Sequence, residues 1–224
     1  MNQISDEGLK LLMKHEGVHY QVYDDRTNRV ISRFSQAKGY PTIGVGHRIY
    51  PKEQKAYAKY LSRNRKLTGY QVKELLRNDV KKFENRLNKR IGNTPVTQSM
   101  WDALVSLSFN TGSNSSSIIK ASSSIVAKDY KGAAKAILNG PVKSKGKVIT
   151  SLVKRRKSET ILFMKDGLPK KGTANIASFT GIGAILAIGA FYGTRYVKTL
   201  KVEDKSQHSM SLKEFRKLQK EIEK

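Results

Sequence analysis

The sequence contains no cysteine, one tryptophan and five prolines in 224 residues, and it has only 18 acidic residues against 43 lysines and arginines. The absence of cysteine excludes a disulfide framework. The shortage of acidic residues leaves a net charge of +25, which favours polyanionic partners such as nucleic acid, anionic lipid or a phosphate-bearing wall. The basic residues are spread along the chain and form no recognisable nucleic-acid-binding module, so we expect no specific nucleic-acid partner.

The N-terminus also lacks the pattern of a secretory signal. Residues 1–17 combine acidic residues with only a short apolar run, so we expect no signal peptide. A protein of this kind that acts outside the cytoplasm would need another means of delivery.

One long uncharged run is present, residues 172–194, and its 23 residues suffice for a helix that spans a bilayer of about 30 Å. We therefore predict a globular domain over 1–169, a basic linker over 170–174, a transmembrane helix over 175–197 and a charged, partly helical tail over 198–224. The lipid bilayer is then a partner. Gly189 and Gly193 have the spacing of a helix-packing motif and suggest helix–helix association. A buried helix in a soluble core is the alternative interpretation.

The periodicity of the first 169 residues predicts an α+β fold, with a small antiparallel β-sheet followed by a helical lobe. The first helix, 4–15, has Ser5 as its N-cap and is stopped by Gly17. Strands are predicted at 18–23, 30–34 and 40–45. Further helices are predicted at 52–64, from Thr68 to Gly92, from Thr97 to Gly112, at 130–138 and at 149–164, with a loop and a short helix start at 113–124 and a basic loop at 143–148.

Two carboxylates lie on either side of the switch from the first helix to the sheet. Glu16 ends the helix among apolar neighbours, and such surroundings favour the protonated form that a general acid needs. Asp25 follows the first strand, where it could activate water on the opposite face of a sugar ring, as inverting glycosidases require. Thr42 could orient the same water. From composition alone, a surface glutamate and an Asx turn are the more common explanation.

Residues 15–19 also spell His-Glu-x-x-His, the motif of zinc proteases. This motif requires one continuous helix, so that both histidines share a face. Gly17 interrupts the helix and an alternating strand pattern follows, so we expect no zinc site. Residues 24–28 lack the alternating oxygen ligands and the closing glutamate of a calcium loop. The glycines at 44 and 46 are not followed by the lysine and helix start of a phosphate loop.

Taken together, the motifs resemble the phage-type lysozymes of glycoside hydrolase family 24. The resemblance covers about residues 3–166. It rests on Glu16-Gly17, Tyr23-Asp24-Asp25, the run Thr42 to His47, Thr97-Gln98, Asp102 to Ser106, Phe109 to Gly112, Leu152 to Arg156, and Glu159.

The resemblance implies Glu16 as the acid that protonates the glycosidic oxygen, with Asp25 and Thr42 holding or activating water. It also implies a supporting arginine near Glu16, for which we select Arg155. Three further residues are expected to bind substrate or support the site: Asn110, Gly44 and His47. Sixteen residues separate Asp25 from Thr42, more than in many members of the family, and Ser151 stands where a glycine is usual. The longer hairpin adds basic residues and could displace Thr42.

The implied activity is that of a muramidase, which hydrolyses the β-1,4 bond between N-acetylmuramic acid and N-acetylglucosamine in bacterial peptidoglycan without metal or cofactor. A lytic transglycosylase acting on the same bond is the alternative within enzymes. A virion membrane protein with a wall-binding lysozyme-like module is the alternative outside them. With the predicted anchor, the protein would lie in the membrane of a virion or of the host cell, with virion proteins as further partners.

Overall fold

The computed structural model describes residues 2–61 and 65–169. The chain forms an α+β fold in which a small antiparallel sheet follows the first helix and a group of helices follows the sheet. The helices are α1 (Asp6–Glu16), α2 (Gln54–Tyr57), α3 (Gly69–Ile91), α4 (Gln98–Thr111), α5 (Ser116–Val126), α6 (Tyr130–Leu138) and α7 (Thr150–Met164). The strands are β1 (His19–Asp24), β2 (Arg29–Val30), β3 (Pro41–Gly44), β4 (His47–Arg48), β5 (Lys143–Ser144) and β6 (Lys147–Val148).

Helix α1 has the predicted N-cap, Ser5, and the predicted stop, Gly17, and it spans Asp6–Glu16 where the sequence predicts 4–15. The Ser5 hydroxyl accepts a hydrogen bond from the Gly8 amide, and the Ser5 side chain and amide also donate to the buried Asp102 on α4. The helix ends at Gly17, whose φ of 79° lies in the left-handed region that only glycine adopts without strain. The start of α1 is therefore tied to α4, and its last residue is Glu16.

The four-stranded sheet has the order β2-β1-β3-β4, with every pairing antiparallel. In the register of β1 and β3, Tyr23 lies opposite Thr42 and Asp24 lies opposite Pro41. The long hairpin lies between β1 and β3, and its Ile31 is buried in the core. Thr42 is paired with Tyr23, two residues before Asp25.

The predicted strand over 30–34 is wrong beyond its first residue. Strand β2 stops at Val30, and residues Phe34–Gln36 form a 3₁₀ turn. The side-chain oxygen of Gln36 accepts hydrogen bonds from the amides of Ser32 and Arg33, so these donors are satisfied locally and do not extend the sheet.

Three helical-lobe predictions also need correction. The predicted helix 52–64 is a one-turn α2 flanked by 3₁₀ turns, with residues 62–64 outside the described part. Only Tyr60 is buried in it, so no apolar face sustains a longer helix.

Residues 143–148 form the hairpin β5–β6 rather than a loop, because Lys145 and Gly146 both take positive φ in the turn.

The serine-rich segment 113–124 is predicted as a loop with a short helix start. Its residues from Ser116 onward instead belong to the helix α5, which continues to Val126. Ser115 caps this helix, and Ile118, Ala121 and Ile125 form a fully buried stripe along it. Two of its serines, Ser117 and Ser122, are themselves buried. The sequence predicts a loop here because serine is usually exposed.

Helix α4 is the centre of the helical lobe, because residues 99–108 are all buried. It packs against α1, α3 and α7, and Trp101 is 1% exposed. This central helix brings the end of α1 and the middle of α7 together, which places Glu16 next to the basic pair of α7.

None of the helices within residues 2–61 and 65–169 has both the length and the apolar character needed to cross a membrane. The predicted transmembrane helix at 175–197, its linker at 170–174 and the tail at 198–224 lie outside the described residues, as do Gly189 and Gly193.

Candidate active site

Glu16 is in direct contact with an arginine of the last helix. The Arg155 Nη1 atom donates a hydrogen bond to Glu16 Oε1 at 2.5 Å. The Arg155 side chain is 5% exposed and that of Glu16 is 28% exposed, so the pair sits at the boundary between the core and solvent. Arg155, selected from the sequence, is therefore placed beside the candidate acid.

Arg155 is held in turn by a buried carboxylate one helical turn further along α7. Glu159 is fully buried, and its Oε1 atom accepts hydrogen bonds from Arg155 Nε at 3.1 Å, Arg156 Nη2 at 3.0 Å and the Ser106 hydroxyl at 2.8 Å. Burial raises the pKa of Glu159, while Arg156, Ser106 and Arg155 act in the opposite direction. Burial also disfavours the charged form of Arg156, and it therefore lowers the pKa of Arg156. The network holds Arg155 through its Nε atom, while its Nη1 atom contacts Glu16.

Asp25 is exposed at the end of β1, and one of its oxygens is fixed by the backbone. Asp25 Oδ1 accepts a hydrogen bond from the Tyr40 amide at 2.6 Å, and the Asp25 amide donates to the Tyr40 carbonyl at 3.1 Å. Gly39 is packed so closely that a Cβ there would lie 2.1 Å from Asp25 Oδ1. The base of the long hairpin therefore positions the carboxylate.

The neighbouring Asp24 plays a different part. It is 1% exposed and accepts hydrogen bonds from the Thr27 hydroxyl and from the amides of Gly39 and Arg26. Burial by itself would raise the pKa of Asp24, but these hydrogen bonds outweigh it and lower the pKa. Asp24 thus stabilises the base of the hairpin by these hydrogen bonds, whereas the Asp25 carboxylate lies at the surface.

Thr42 is buried, 3% exposed, and its hydroxyl donates to the Tyr40 carbonyl at 3.0 Å. The backbone of Tyr40 therefore connects Thr42 to Asp25. This contact gives Thr42 a supporting role for the Asp25 hairpin. A direct contact between its hydroxyl and a reacting water stays a prediction.

Tyr23 lies on β1, two residues before Asp25, and is largely buried. Burial raises the pKa of Tyr23, and the negative charges of Asp25 and then Glu16 raise it further.

The three expected supporting residues have different surroundings. The Asn110 side-chain oxygen accepts a hydrogen bond from Arg156 Nη2 at 2.9 Å, which joins it to the arginine network. Gly44 ends β3 with a φ of 68°, and a Cβ there would lie 3.1 Å from Leu75 of α3. His47 lies between the sheet and α3, where its Nδ1 is 2.9 Å from Asp79 Oδ1 and its Nε2 is 3.8 Å from Glu53 Oε1.

The His47–Asp79 contact predicts a pH-dependent stability. Burial alone would lower the pKa of His47, but hydrogen bonding and charge from Asp79, with Glu53, raise it above 6.5. Stability from this pair is therefore fully present below pH 6.5 and is lost as the pH rises through the raised pKa. We expect Asp79→Asn to cost about 1 kcal/mol at pH 5.5 and less at pH 9. Thermal unfolding of the Asp79→Asn variant, the His47→Asn variant and the variant with both substitutions is measured at pH 5.5 and pH 9. The three results give the coupling energy between the two residues at each pH.

A constant coupling energy across that pH range would contradict the assignment of the proton to His47. A coupling that grows with pH would reverse the sign of the proposed linkage.

The His-Glu-x-x-His run does not form one helical face. His15 is on α1, and its ring contacts the Ser158 hydroxyl of α7 at 3.0 Å, whereas His19 is on β1, beyond the break at Gly17. Burial and then Arg155 lower the pKa of His15 to about 4. The His19 ring stacks on Tyr23 at 3.8 Å. The predicted helix break is confirmed, and the two rings make separate contacts.

The sequence marks Glu159 and Ser106 only as members of the family motifs, and it marks Tyr40 only as part of a strand. A pairing of Glu159 with Arg155 could have been predicted, because the two are four residues apart on a predicted helix and such pairs lie side by side. Ser106 and Tyr40 act through contacts between distant segments, which no local pattern predicts.

Comparison with known proteins places the chain in a family. Residues 13–159 match the family model described as phage lysozyme, which is more than half of the chain. The chain is 30% identical over 164 residues to the endolysin of Salmonella phage P22, covering 73% of this chain and 99% of that protein. A crystal structure of a P22 lysozyme variant superposes with a TM-score of 0.57 and 28% identity, covering 74% of this chain and all of the other. The muramidase domain of SpmX from Asticaccaulis excentricus gives a TM-score of 0.53 at 25% identity, covering 74% of this chain and 99% of that domain.

These matches define a lysozyme-type glycoside hydrolase. The chain belongs to the phage lysozyme family.

Proposed function

We propose that the protein is a muramidase that hydrolyses the β-1,4 bond between N-acetylmuramic acid and N-acetylglucosamine of bacterial peptidoglycan. The single observation that carries this proposal is the contact between Glu16 and Arg155. Asp25, the second candidate carboxylate, is exposed and is fixed by the Tyr40 amide. The names of the endolysin and muramidase relatives support a peptidoglycan substrate.

Glu16 would donate a proton to the glycosidic oxygen as the bond to the leaving sugar breaks. The carboxylate that forms lies 2.5 Å from the Arg155 guanidinium, so its developing negative charge is stabilised as the proton leaves. Because Arg155 is fixed by Glu159 before substrate arrives, this stabilisation needs little reorganisation during the reaction.

Asp25 would activate or orient the water that attacks the anomeric carbon. Its Oδ1 is fixed by the Tyr40 amide, and within residues 2–61 and 65–169 no hydrogen bond to Oδ2 is formed. Oδ2 is therefore the oxygen available to accept a proton from water. Thr42 would support this arrangement through Tyr40.

We expect Asp25→Asn to reduce hydrolysis by about 10²-fold or more, because an amide accepts no proton from the attacking water. The reducing sugars released from purified peptidoglycan measure the rate. The matched control is Asp129→Asn, which changes an exposed N-cap aspartate of α6 and should leave the rate unchanged.

Full activity of the Asp25→Asn variant would remove Asp25 from the reaction. It would favour the alternative, a lytic transglycosylase in which Glu16 acts alone and the 6-hydroxyl of muramic acid replaces water. A non-enzymatic wall-binding virion protein is a third candidate, and it predicts no product at all.

We further propose that the predicted helix at 175–197 anchors the enzyme in a virion or host membrane, where it opens the wall during entry or lysis. The support is the uncharged run 172–194, bounded by Lys170, Lys171 and Arg195. Full-length protein should float with lipid vesicles in a density gradient. Ile185→Lys should shift it to the soluble fraction, since a lysine at a helix centre costs about 3 kcal/mol on insertion.

Ile185→Leu is the control and should float as the unchanged chain does. If the unchanged protein stays at the bottom of the gradient, the anchor proposal fails while the lysozyme proposal is unaffected.

A further inference from the structure

The long hairpin between β1 and β3 carries a group of exposed cations without acidic partners. We define the hairpin surface as Arg26, Arg29, Arg33 and Lys38, together with Arg48 of β4, all of which are exposed. In residues 2–61 and 65–169, none of these five side chains lies within 4.0 Å of a carboxylate oxygen. The surface is therefore a region of positive charge that is not neutralised locally.

The two carboxylates of the hairpin do not neutralise this charge. Asp24 is buried and accepts hydrogen bonds from Thr27, Gly39 and Arg26 amide or hydroxyl groups, and Asp25 accepts from the Tyr40 amide. Asp24 is buried in these contacts, and the exposed Asp25 forms no ion pair with the hairpin cations within the described residues, so the hairpin surface keeps a net positive charge.

Three cations elsewhere on the exposed surface do pair with carboxylates. Lys73 and Arg77 of α3 both pair with Asp6, and Lys165 pairs with Glu7. Other exposed cations, Lys10 and Lys89 among them, form no ion pair within residues 2–61 and 65–169. The hairpin surface is therefore distinguished by its position beside Asp25 and by the Arg48 contacts, and not by unpaired charge alone.

Arg48 adds a geometrically defined group to this surface. Its guanidinium carbon lies 3.1 Å from the centroid of the Tyr40 ring and 5.1 Å from that of Tyr50, and both tyrosines are about half exposed. Stacking on aromatic rings occupies the faces of a guanidinium and leaves the N–H groups at its edge for hydrogen bonds. Such an edge matches the two oxygens of a phosphate group.

The hairpin surface adjoins Asp25 through Tyr40. The ring of Tyr40 stacks on Arg48, and its amide donates to Asp25. A ligand on the surface would thus lie beside the carboxylate that acts on the glycan. An anionic polymer that is covalently attached to the glycan satisfies both the charge and the position.

We propose that the hairpin surface binds the phosphodiester-linked anionic polymer of a bacterial wall, and that this contact holds the glycan beside Glu16 and Asp25. The inference rests on the proposed peptidoglycan substrate. An anionic membrane would be attracted by the same charge, but the position of the surface next to Asp25 favours a ligand that accompanies the glycan.

Binding can be measured without catalysis in the full-length Glu16→Gln protein, by sedimentation with purified walls before and after removal of phosphodiester polymers with hydrofluoric acid. The test variant adds Arg26→Gln, Arg29→Gln, Arg33→Gln and Lys38→Gln. The matched control adds Lys10→Gln, Lys89→Gln, Lys120→Gln and Lys143→Gln, four exposed cations on other elements. The net charge changes equally in both.

We expect the hairpin variant to bind untreated walls roughly tenfold more weakly than the control variant does, since exposed ion pairs each contribute modestly. The two variants should bind acid-treated walls alike. Soluble teichoic acid should also displace the Glu16→Gln protein from untreated walls, which tests the surface without changing it. Arg48→Gln should reproduce part of the loss.

Equal binding of the two variants to untreated walls would overturn the proposal, as would undiminished binding after acid treatment. Weaker binding of the hairpin variant than of the control variant to vesicles of anionic phospholipid, together with equal binding of the two to untreated walls, would assign the surface to a membrane instead. Glycan cleavage by the protein with Glu16 intact is measured separately. A failure of the muramidase proposal is therefore distinguishable from a failure of this one.

Discussion

Replacing Glu16 by glutamine is expected to reduce glycan hydrolysis by about 10²–10⁴-fold, the range contributed by a positioned general acid. Glutamine has nearly the same shape and still reaches Arg155, but it has no proton to donate to the glycosidic oxygen. Turbidity loss of cell-wall suspensions and clearing of wall-containing gels both measure the rate. Thermal unfolding should show a folded protein with its midpoint within about 5 °C of the unchanged chain.

The matched control is Glu7→Gln, the same substitution at the other end of the same helix. Glu7 is 58% exposed and pairs with Lys165 on the surface. Its loss should change stability by less than about 1 kcal/mol and leave the rate unchanged. If clearing persists in the Glu16→Gln variant at the rate of this control, the chemistry assigned to Glu16 is wrong.

Replacing Glu159 by glutamine is expected to have the largest effect on stability, about 3–5 kcal/mol. The substitution removes the counter-charge shared by Arg155 and Arg156, which are 4% and 1% exposed. Arg156 is then buried beside a neutral group, and within the described residues Arg155 keeps only Glu16 as an acidic partner. For a domain of this size the unfolding midpoint should fall by about 10 °C. Activity should fall as well, because Arg155 loses the contact that orients it toward Glu16.

The effect of the Glu159→Gln substitution on activity can be distinguished from its effect on stability. Glu159 acts through Arg155 and does not contact the substrate, so kcat should fall while KM changes little, and the pH profile of kcat should shift. The matched control is Glu74→Gln, which removes a surface carboxylate 3.6 Å from Arg77 and should cost less than about 1 kcal/mol. An unfolding midpoint equal to that of this control would show that the buried network contributes nothing to stability.

The sequence predicts α1, and with it the position of Glu16, because both signals are local. The apolar spacing, the Ser5 cap and the Gly17 stop all lie within a dozen residues. The same holds for the Thr68 and Thr97 caps of α3 and α4. Where short-range physics determines an element, the prediction and the structure agree.

The proximity of Thr42 to the Asp25 hairpin could not be obtained in the same way. Sixteen residues separate Thr42 from Asp25, and their proximity depends on the register between β1 and β3. Register depends on the pairing of distant segments and on the turn that joins them. The side-chain hydrogen bonds of Gln36 that shorten β2 are equally invisible to an argument from alternation.

The sequence does not predict the serine-rich helix α5 or the Glu159 network, and the reason is the same for both. In both, polar residues are buried because tertiary contacts satisfy them. Ser106 donates to Glu159, and α5 buries Ser117 and Ser122 against its neighbours. Composition predicts such residues on the surface, and only the assembled core shows otherwise.

The central claim is that this chain uses water to cleave the peptidoglycan glycan with Glu16 as the acid. Digestion of purified peptidoglycan in ¹⁸O-labelled water, followed by mass spectrometry of the released fragments, tests it most directly. We expect one ¹⁸O atom at the reducing-end C1 of each new N-acetylmuramic acid terminus, and about 10²-fold less product or lower still from the Glu16→Gln variant. Unlabelled anhydro termini, or labelled termini at N-acetylglucosamine, would contradict it.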